Sequence, residues 1–547
     1  MVFSLVSLCA TEVVSDHSSS PCWLKWIPRE LYRPLLEAAF SSNRPLAVGE
    51  LVQRWPERTL RVGRRKRGAT SPNRLCIQAL LLAVVRGLSD QRSVLQLLDL
   101  CGQQGDEGSL GDPMGGWSLT VALCTMVVQA RAGAKRIQRK EGERERKRFS
   151  ALQRESDVKR ERADVVENIS MVSSEIKSEE VLTKGVRRRM EMEKKGVGPS
   201  GAETGTRIDC DDDKDADVLV HVRADLFVNA RSWERVRAAL STQGPLKLQC
   251  RYLRIEEISV SSIKTLLDIL PHQFLLGMDV RYSSLGVAGL AELLLPLSTF
   301  PALESLSLHY CNLDLRRDLH GQEEALKDLS QGLKQLHRLK CLSLTALRLP
   351  GQLRVLLSSL PQPLEILELP YLSLSPADLA YLSCSHHAST LQQLDLSENR
   401  LDETTLPSVR RLLSQASSSL QHLSLSGCSL TDHLLGLLLP SLGCCIALKS
   451  FAFALNPLSM SGLMELVKTA VRMHSLRQLL YPNPLEDYQP GLPDLPSSAQ
   501  LLDWPLDETT EFNTTSTQLN RVLLDNGRSD LLLTCDLLNY HNNLKDE

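Results

Sequence analysis

The sequence predicts an α/β protein in which short parallel strands line the inside of a curved solenoid and helices line its outside. Leucine is the dominant residue, whereas Phe, Trp and Tyr make up only 4% of the 547 residues, a bias typical of repeat proteins. The pattern L-x-x-L-x-L-x-x-N/C-x-L recurs seven times, with starts 25 to 36 residues apart. Apolar residues at the fourth and sixth positions point into a core, so the residues between them line the concave face. We therefore expect a leucine-rich-repeat horseshoe.

Three units match the pattern in full and four match it nearly. The full matches are LESLSLHYCNL (303–313), LQQLDLSENRL (391–401) and LQHLSLSGCSL (420–430). The near matches are LLGMDVRYSSL (275–285), LKCLSLTALRL (339–349), LEILELPYLSL (364–374) and LKSFAFALNPL (448–458). The ninth position should satisfy buried backbone groups where the chain turns inward; it is occupied by Cys311, Asn399, Cys428 and Asn456. The rest of each unit has room for a convex helix.

Composition divides the chain into a helical N-terminal region, a charged insertion, the solenoid and a C-terminal capping region, at 1–132, 133–215, 216–487 and 488–547. In residues 135–216, 40 of 82 positions are charged. Such a segment buries too little apolar surface to offset its ordering entropy, so we expect a disordered or transiently helical insertion. The strand-then-helix pattern at 220–240 predicts the N-terminal cap, and 518–538 predicts the C-terminal cap.

Composition and motifs argue against several functional classes. The net charge of −2 gives no reason to expect a nucleic-acid partner. The 14 cysteines show neither a C-x-x-C motif nor zinc spacing, so we expect no metal and reduced thiols in the cytoplasm. No apolar run is long enough to span a membrane. Walker, G-x-G-x-x-G, G-x-S-x-G and H-E-x-x-H motifs are missing, so we expect neither a cofactor nor catalysis. His386 and His387 are expected on a solvated loop.

The concave face is the candidate binding surface. Many of its residues are serines, which would leave a shallow floor that another chain can approach. Its acidic members favour a partner that carries basic residues. The alternative is that serine only fits a crowded parallel ladder. The predicted contact residues are Asp279, His309, Glu368, Gln393, Asp395 and His422.

The first residues of the chain carry a second candidate surface. Leu5, Cys9 and Val13 fall at i, i+4 and i+8 of a helix, on one narrow apolar stripe. A secretory signal is a weaker explanation, because no Lys or Arg precedes Lys25. The spacing of Ser4, Leu5, Cys9 and Val13 resembles the elongin-BC box of ubiquitin-ligase substrate receptors, in which the Leu enters a pocket of elongin C.

A second segment follows in the order found in such receptors. The residues Ile27, Pro28, Leu31 and Leu35 resemble a cullin box of the cullin-two type. The resemblance implies that they face a cullin. The alternative is that both segments pack only within their own helical region.

Longer stretches resemble the PRAME-type leucine-rich-repeat family. They are IPRELYRPLLEAAF, ELVQRWP, VRADLFVNARSW, LQQLDLSENRL and FALNPLSMSGLMELV, in that order. The resemblance implies a horseshoe with a helical N-terminal region. It also implies one of two roles: a substrate-recognition subunit of an elongin BC–cullin-two RING ubiquitin ligase, or a binding module that restrains NF-κB-type signalling or transcription without ligase function.

The charged insertion and a basic run suggest modification and localisation. Lys159 and Lys177 each fit the apolar-Lys-x-acid pattern of SUMO attachment. The run RRKR at 64–67 fits a nuclear import signal, although a solvated charge run is the simpler interpretation. We expect a cytoplasmic protein, with a nuclear pool as the alternative.

Overall fold

The horseshoe is built on parallel strands that follow one another along the chain. The computed structural model describes residues 4–15, 26–62, 74–89, 94–103, 118–174, 220–312, 322–347, 350–507, 513–537 and 540. Within these ranges one sheet of 13 strands runs in chain order, and each strand pairs with the next. The strands are β1 Thr59–Arg61, β2 Leu97–Asp99, β3 Val220–Asn229, β4 Leu246–Glu256, β5 Gly277–Arg281, β6 Ser305–His309, β7 Cys341–Thr345, β8 Ile366–Glu368, β9 Gln393–Asp395, β10 His422–Ser424, β11 Ser450–Ala452, β12 Gln478–Leu480 and β13 Leu532–Thr534.

The helices of the described residues are α1 Leu5–Ser15, α2 Tyr32–Ser41, α3 Pro45–Gln53, α4 Arg74–Ser89, α5 Leu119–Ser174, α6 Trp233–Leu240, α7 Val260–Ile269, α8 Gly286–Leu297, α9 Gln322–Lys334, α10 Leu353–Leu357, α11 Pro376–Cys384, α12 Leu406–Ala416, α13 Asp432–Leu442, α14 Met460–Arg472, α15 Ser498–Asp503 and α16 Asn513–Asp525. Helices α1–α3 precede the first strand, α4–α14 and α16 lie between or beside the strands on the convex side, and α15 lies at the sheet edge, where Ser498 bonds Glu398. Several begin at a serine whose hydroxyl accepts a backbone N–H of the first turn, as Ser259, Ser375 and Ser459 do for α7, α11 and α14. Among the described helices, none combines the length and apolar character that a membrane crossing requires.

The core is a stack of leucine layers, as the repeat pattern predicts. Leu394, Leu423 and Phe451 are in register on β9, β10 and β11, and all three are buried. The neighbouring strand residues turn to the other face and are less buried on β9 and β10. The predicted leucine-rich-repeat fold is therefore confirmed.

The ninth-position residues satisfy backbone groups, as predicted. Asn399 Nδ2 donates to the carbonyls of Leu369 at 2.8 Å and Leu396 at 2.9 Å, and its Oδ1 accepts the N–H of Leu374 at 3.2 Å. Asn456 makes the same contacts two repeats later. At Cys311 the thiol donates to a carbonyl instead, and burial raises the pKa of this thiol to about 12. The thiol therefore stays protonated near neutral pH, whereas a nucleophilic cysteine reacts as the thiolate.

Two boundaries differ from the sequence-based expectation. The sheet begins with β1 and β2, inside the region predicted to be helical, so the predicted cap at 220–240 is an internal strand and helix, β3 and α6. The predicted boundary at residue 133 falls inside α5, which continues to Ser174. Residues 175–219 of the insertion lie outside the described residues. At the other end, α16 and β13 close the array, with β13 paired to β12.

The expectation of a solvated His386–His387 pair is half wrong. His386 is exposed, but His387 is buried between α10 and the start of the next repeat. Its Nδ1 accepts the N–H of Leu364 at 3.1 Å, and its Nε2 bonds to the carbonyl oxygen of Leu357 at 3.2 Å. His387 therefore does the structural work of a turn residue.

Candidate functional site

Helix α1 presents an apolar stripe to solvent. The hydroxyl of Ser4 accepts the N–H of Ser7 at 3.1 Å and so caps the helix. Leu5 is 77% exposed, and Cys9 and Val13 are exposed on the same face. The sequence-predicted stripe thus forms one continuous surface, and the structure brings its residues together.

The opposite face of α1 holds the helix on the protein. Ala10 and Val14 are buried against α2, which in turn packs on α3. Leu8 and Val6 are exposed and widen the apolar surface beside Leu5. A fixed helix that exposes several large apolar side chains together is typical of a protein-binding surface.

The cullin-box-like segment is only partly accessible. Pro28 is exposed, Leu31 is 40% exposed and Ile27 is half-buried against the core. Leu35 is only 5% exposed, because it lies on the inner face of α2. The expectation that Leu35 faces a cullin is therefore at odds with the structure, in which this side chain is buried in the hydrophobic core beneath α2.

Charges on the concave floor of β4–β6 are compensated within the chain. Asp279 pairs with Arg281 at 2.8 Å and lies 3.6 Å from Nε2 of His309. His309 Nδ1 is 2.7 Å from Thr345 Oγ1, and burial lowers the pKa of this histidine. On β4, Arg254 pairs with Glu256 in the same way. The inference that Asp279 attracts a basic partner is therefore weakened, because its own strand supplies the cation.

Glu368, Gln393, Asp395 and His422 lie together on β8–β10. Gln393 Nε2 donates to Glu368 Oε1 at 2.7 Å, and Glu368 is in register with Asp395 on the next strand. Burial raises the pKa of Glu368, and the charge of Asp395 raises it further. His422 is the register neighbour of Gln393. The structure thus separates the six predicted residues into two groups, on β5–β6 and on β8–β10, with β7 between them.

Sequence reasoning missed a row of tyrosines at the eighth repeat position. Tyr282, Tyr310 and Tyr371 are exposed at the edge of the sheet where the strands end, with φ of 50°, 53° and 60°. This left-handed conformation costs a non-glycine residue roughly 1–2 kcal/mol. It arises because each N–H donates to a carbonyl of the following repeat, extending the ladder by one bond. The rings of Tyr282 and Tyr310 stack with centroids 5.2 Å apart.

The recurrence of tyrosine at one repeat position was the available signal, since the chain has only 9 tyrosines. We call Tyr282, Tyr310 and Tyr371 the tyrosine rim. Exposed aromatic residues of this kind are enriched in protein interfaces. The rim borders the concave floor, so the two form one exposed surface.

The remaining sequence predictions concern metal ligands and lysine modification. In the described part of the chain, no group of three or more His, Cys, Asp or Glu side chains is arranged to hold a metal ion. Lys159 lies on α5 and Lys177 lies outside the described residues, so SUMO attachment at either lysine stays a prediction. All twelve cysteines within the described ranges are free thiols.

Comparison with known proteins identifies the family. The model of the PRAME N-terminal domain matches residues 3–107, and that of the PRAME C-terminal domain matches residues 226–492. The chain belongs to the PRAME family. Within it, leucine-rich repeat-containing protein 14 of Xenopus laevis is 33% identical over 558 aligned positions, which cover 98% of this chain and 97% of the relative. The human protein of that name is 37% identical over 59% of this chain and 65% of its own length.

The family resemblance expected from the sequence is thus confirmed. PRAME family member 20 of Homo sapiens is 32% identical over 30% of this chain. Among solved structures, the leucine-rich repeat-containing protein LegL7 from Legionella pneumophila covers 56% of this PRAME-family chain at 14% identity and a TM-score of 0.33. A chain of the yeast Rad7–Elc1 complex covers 49% at 15% identity and a TM-score of 0.32.

Proposed function

We propose that this PRAME-family protein is a non-catalytic substrate receptor of an elongin BC–cullin-two RING ubiquitin ligase. The observation that carries the proposal is the exposed stripe Leu5–Cys9–Val13 on a helix that is anchored by its other face. In the proposed complex Leu5 enters a pocket of elongin C, and the small side chain of Cys9 lets the helix approach closely. The horseshoe holds the target while other subunits transfer ubiquitin.

The cullin contact in this proposal uses the exposed part of the second segment. Pro28 and Leu31 would face the cullin, beside the half-buried Ile27. Leu35 has no direct part in the contact, because it is buried under the segment. The free thiols favour a cytoplasmic location, with a nuclear pool through the basic run at 64–67 as the alternative.

The target would lie on the concave floor and the tyrosine rim. The register pair Glu368–Asp395 gives this surface negative potential and favours a target with basic residues there. The paired charges on β4–β6 add little net potential, so apolar contact with the rim would dominate at that end.

The test is binding of purified elongin B–C to the full-length protein and to Leu5→Asp. Burial of a leucine contributes about 1.5–3 kcal/mol, and an unpaired buried carboxylate adds a further cost. We therefore expect Leu5→Asp to weaken binding by about 100-fold or more. Leu295→Asp on α8 is the matched control, because Leu295 is 74% exposed and lies on the convex side. No binding by the wild-type protein, or equal binding by Leu5→Asp, would refute the proposal.

The second candidate is a binding module that restrains NF-κB-type signalling or transcription without a ligase. The tyrosine rim and the concave floor support the binding module as well as they support the ligase receptor, because a partner could bind this surface without contacting α1. A signalling reporter in cells separates the two. Under the second candidate, Leu5→Asp suppresses the reporter like the wild type, whereas charge reversal at both Glu368 and Asp395 abolishes suppression. Under the first, Leu5→Asp also loses suppression.

A further inference from the structure

Tyr540 lies on the concave floor of the last repeats. Tyr540 is 2% exposed and packs with Ala452, Ala454 and Leu480 in a small apolar cluster that is separate from the main core. The partly buried Leu537 packs against the same cluster. The chain therefore returns over β11 and β12 after it leaves the sheet at β13.

The alternation of strand residues establishes which face Tyr540 covers. Phe451 and Phe453 belong to the main core between the sheet and the helices. Ala452 and Ala454 alternate with them, so they lie on the opposite, concave face. Tyr540 contacts that face, and its hydroxyl lies 2.5 Å from Ser450 Oγ, one more concave residue of β11.

The floor at β11 differs from that at β6, β7, β9 and β10 in a way that fits an aromatic ring. The repeats of β6, β7, β9 and β10 carry polar residues at the fifth and seventh repeat positions. These residues are Ser307, His309, Ser343, Thr345, Asp395, Ser397, Ser424 and Ser426. Both positions are alanine in the β11 repeat, at Ala452 and Ala454. Two methyl groups flanked by the Ser450 hydroxyl form an apolar recess with a polar end, which complements the ring and hydroxyl of tyrosine.

We propose that Ser450, Ala452, Ala454 and Leu480 form a binding pocket for the tyrosyl side chain of a peptide, and that Tyr540 is its intramolecular ligand. Release of Tyr540 would open this half of the floor to a tyrosine-bearing segment of another protein. The pocket goes beyond the proposed function; only the idea that the incoming protein is a ligase target rests on that function.

The path of the chain allows this ligand to leave without disturbing the sheet. β13 is held by its own pairing with β12. Cys535 and Asp536, which follow it, are exposed. Cys535 hydrogen-bonds the Tyr481 side chain, and the Asp536 N–H donates to Thr534 Oγ1 at 3.0 Å, so the segment is anchored up to Asp536. Beyond this anchor, the Tyr540 N–H donates to the Asp536 carbonyl at 3.2 Å, within the same short segment. Displacement of Tyr540 therefore requires loss of the pocket contacts and leaves the strand ladder in place.

The test uses full-length protein and a fluorescein-labelled peptide with the sequence of residues 536–547. The receptor is the full-length Tyr540→Ala variant, in which the pocket is empty. We expect the peptide to bind this variant at least about tenfold more tightly than it binds the wild type, because the wild-type pocket is occupied in cis. Fluorescence anisotropy measures both affinities. The same peptide with Tyr540→Ala should lose binding, and Ala452→Leu in the Tyr540→Ala receptor should abolish binding because its side chain fills the recess.

Two results would overturn the proposal. One is that the peptide binds neither protein, or binds both equally. The other comes from hydrogen exchange on the wild type, which needs no variant to fold: exchange of residues 536–540 only together with β11 and β12 would make the segment a structural cap rather than a ligand. We expect residues 536–540 to exchange faster than both strands. Elongin binding through α1 should be the same in wild type and Tyr540→Ala, so failure of the ligase proposal is recognised separately.

Discussion

Acidification should destabilise the horseshoe through one buried histidine. His387 is fully buried, and its ring bonds to two backbone groups: Nδ1 accepts the Leu364 N–H, which leaves Nε2–H to donate to the Leu357 carbonyl. Only the neutral Nε2–H tautomer makes both bonds. Burial lowers the pKa of His387 from 6.5 to about 4.

The sign and size of the effect follow from that shift. As the pH falls below 6.5, the unfolded chain binds a proton at His387 while the folded chain does not, so the free energy of unfolding decreases. The stabilisation is fully present above the unfolded pKa and is lost progressively down to the folded pKa of about 4. Between pH 7 and pH 5, His387 alone should lower the free energy of unfolding by about 2 kcal/mol.

Urea denaturation at pH 7 and pH 5, followed by circular dichroism, measures the effect. His387→Gln should be less stable than the wild type at pH 7, but its loss on acidification should be smaller by about 2 kcal/mol. His386→Gln is the matched control, since His386 is the exposed neighbour; it should keep the pH dependence of the wild type. Equal pH dependence in His387→Gln and the wild type would refute the reasoning.

Three further changes test other parts of the structure. Asn399→Ala should lower the free energy of unfolding by about 2–4 kcal/mol in urea denaturation, because it leaves buried backbone groups without partners; a loss below about 0.5 kcal/mol would contradict the role of the ninth position. The raised pKa of Glu368 means that the folded state takes up a proton at a higher pH than the unfolded state, so this group increases the free energy of unfolding of the wild type as the pH falls below neutral. Glu368→Gln should lack this increase. The same titration at pH 7 and pH 5 checks it, and an unchanged pH profile would count against burial of this carboxyl. In the same urea denaturation, Leu35→Ala should lower the free energy of unfolding by about 2–5 kcal/mol, and Leu31→Ala should lower it far less, because Leu35 is buried and Leu31 is exposed. Equal losses in the two variants would contradict the packing of α2.

The repeat array could be predicted because its information is local and periodic. Each unit places leucines at fixed spacing, and the strands require the alternation that this spacing produces. The registers Leu394–Leu423–Phe451 and the roles of Asn399 and Asn456 follow directly from it. The stripe on α1 could be predicted as a helical pattern in the same way.

The differences arise where the decisive contact is distant in sequence. β1 and β2 have three residues each, TLR and LLD, and carry no repeat signature; they are strands because β3 continues the ladder beside them. His387 is buried because its ring bonds to the Leu357 carbonyl of the preceding repeat and to the Leu364 N–H, 23 residues before it, at the start of its own repeat. The Asp279–Arg281 pair is an exception: residues i and i+2 of a strand share a face, so the sequence alone could have shown this compensation.

The order of strands also constrains how ligase and target could share the molecule. Helices α1–α4 pack one on the next and lead into β1 and β2, whereas Tyr540 covers β11 and β12 at the other end of the same sheet. With about 4.8 Å between neighbouring strands, β5 and β8 lie roughly 20 and 35 Å from β1 along the curve. The tyrosine rim occupies that interval, between the α1 stripe and the Tyr540 pocket. A target on the rim would therefore touch neither end, so its affinity should be indifferent to Leu5→Asp, and a target that also occupies the β11 floor should gain affinity from Tyr540→Ala.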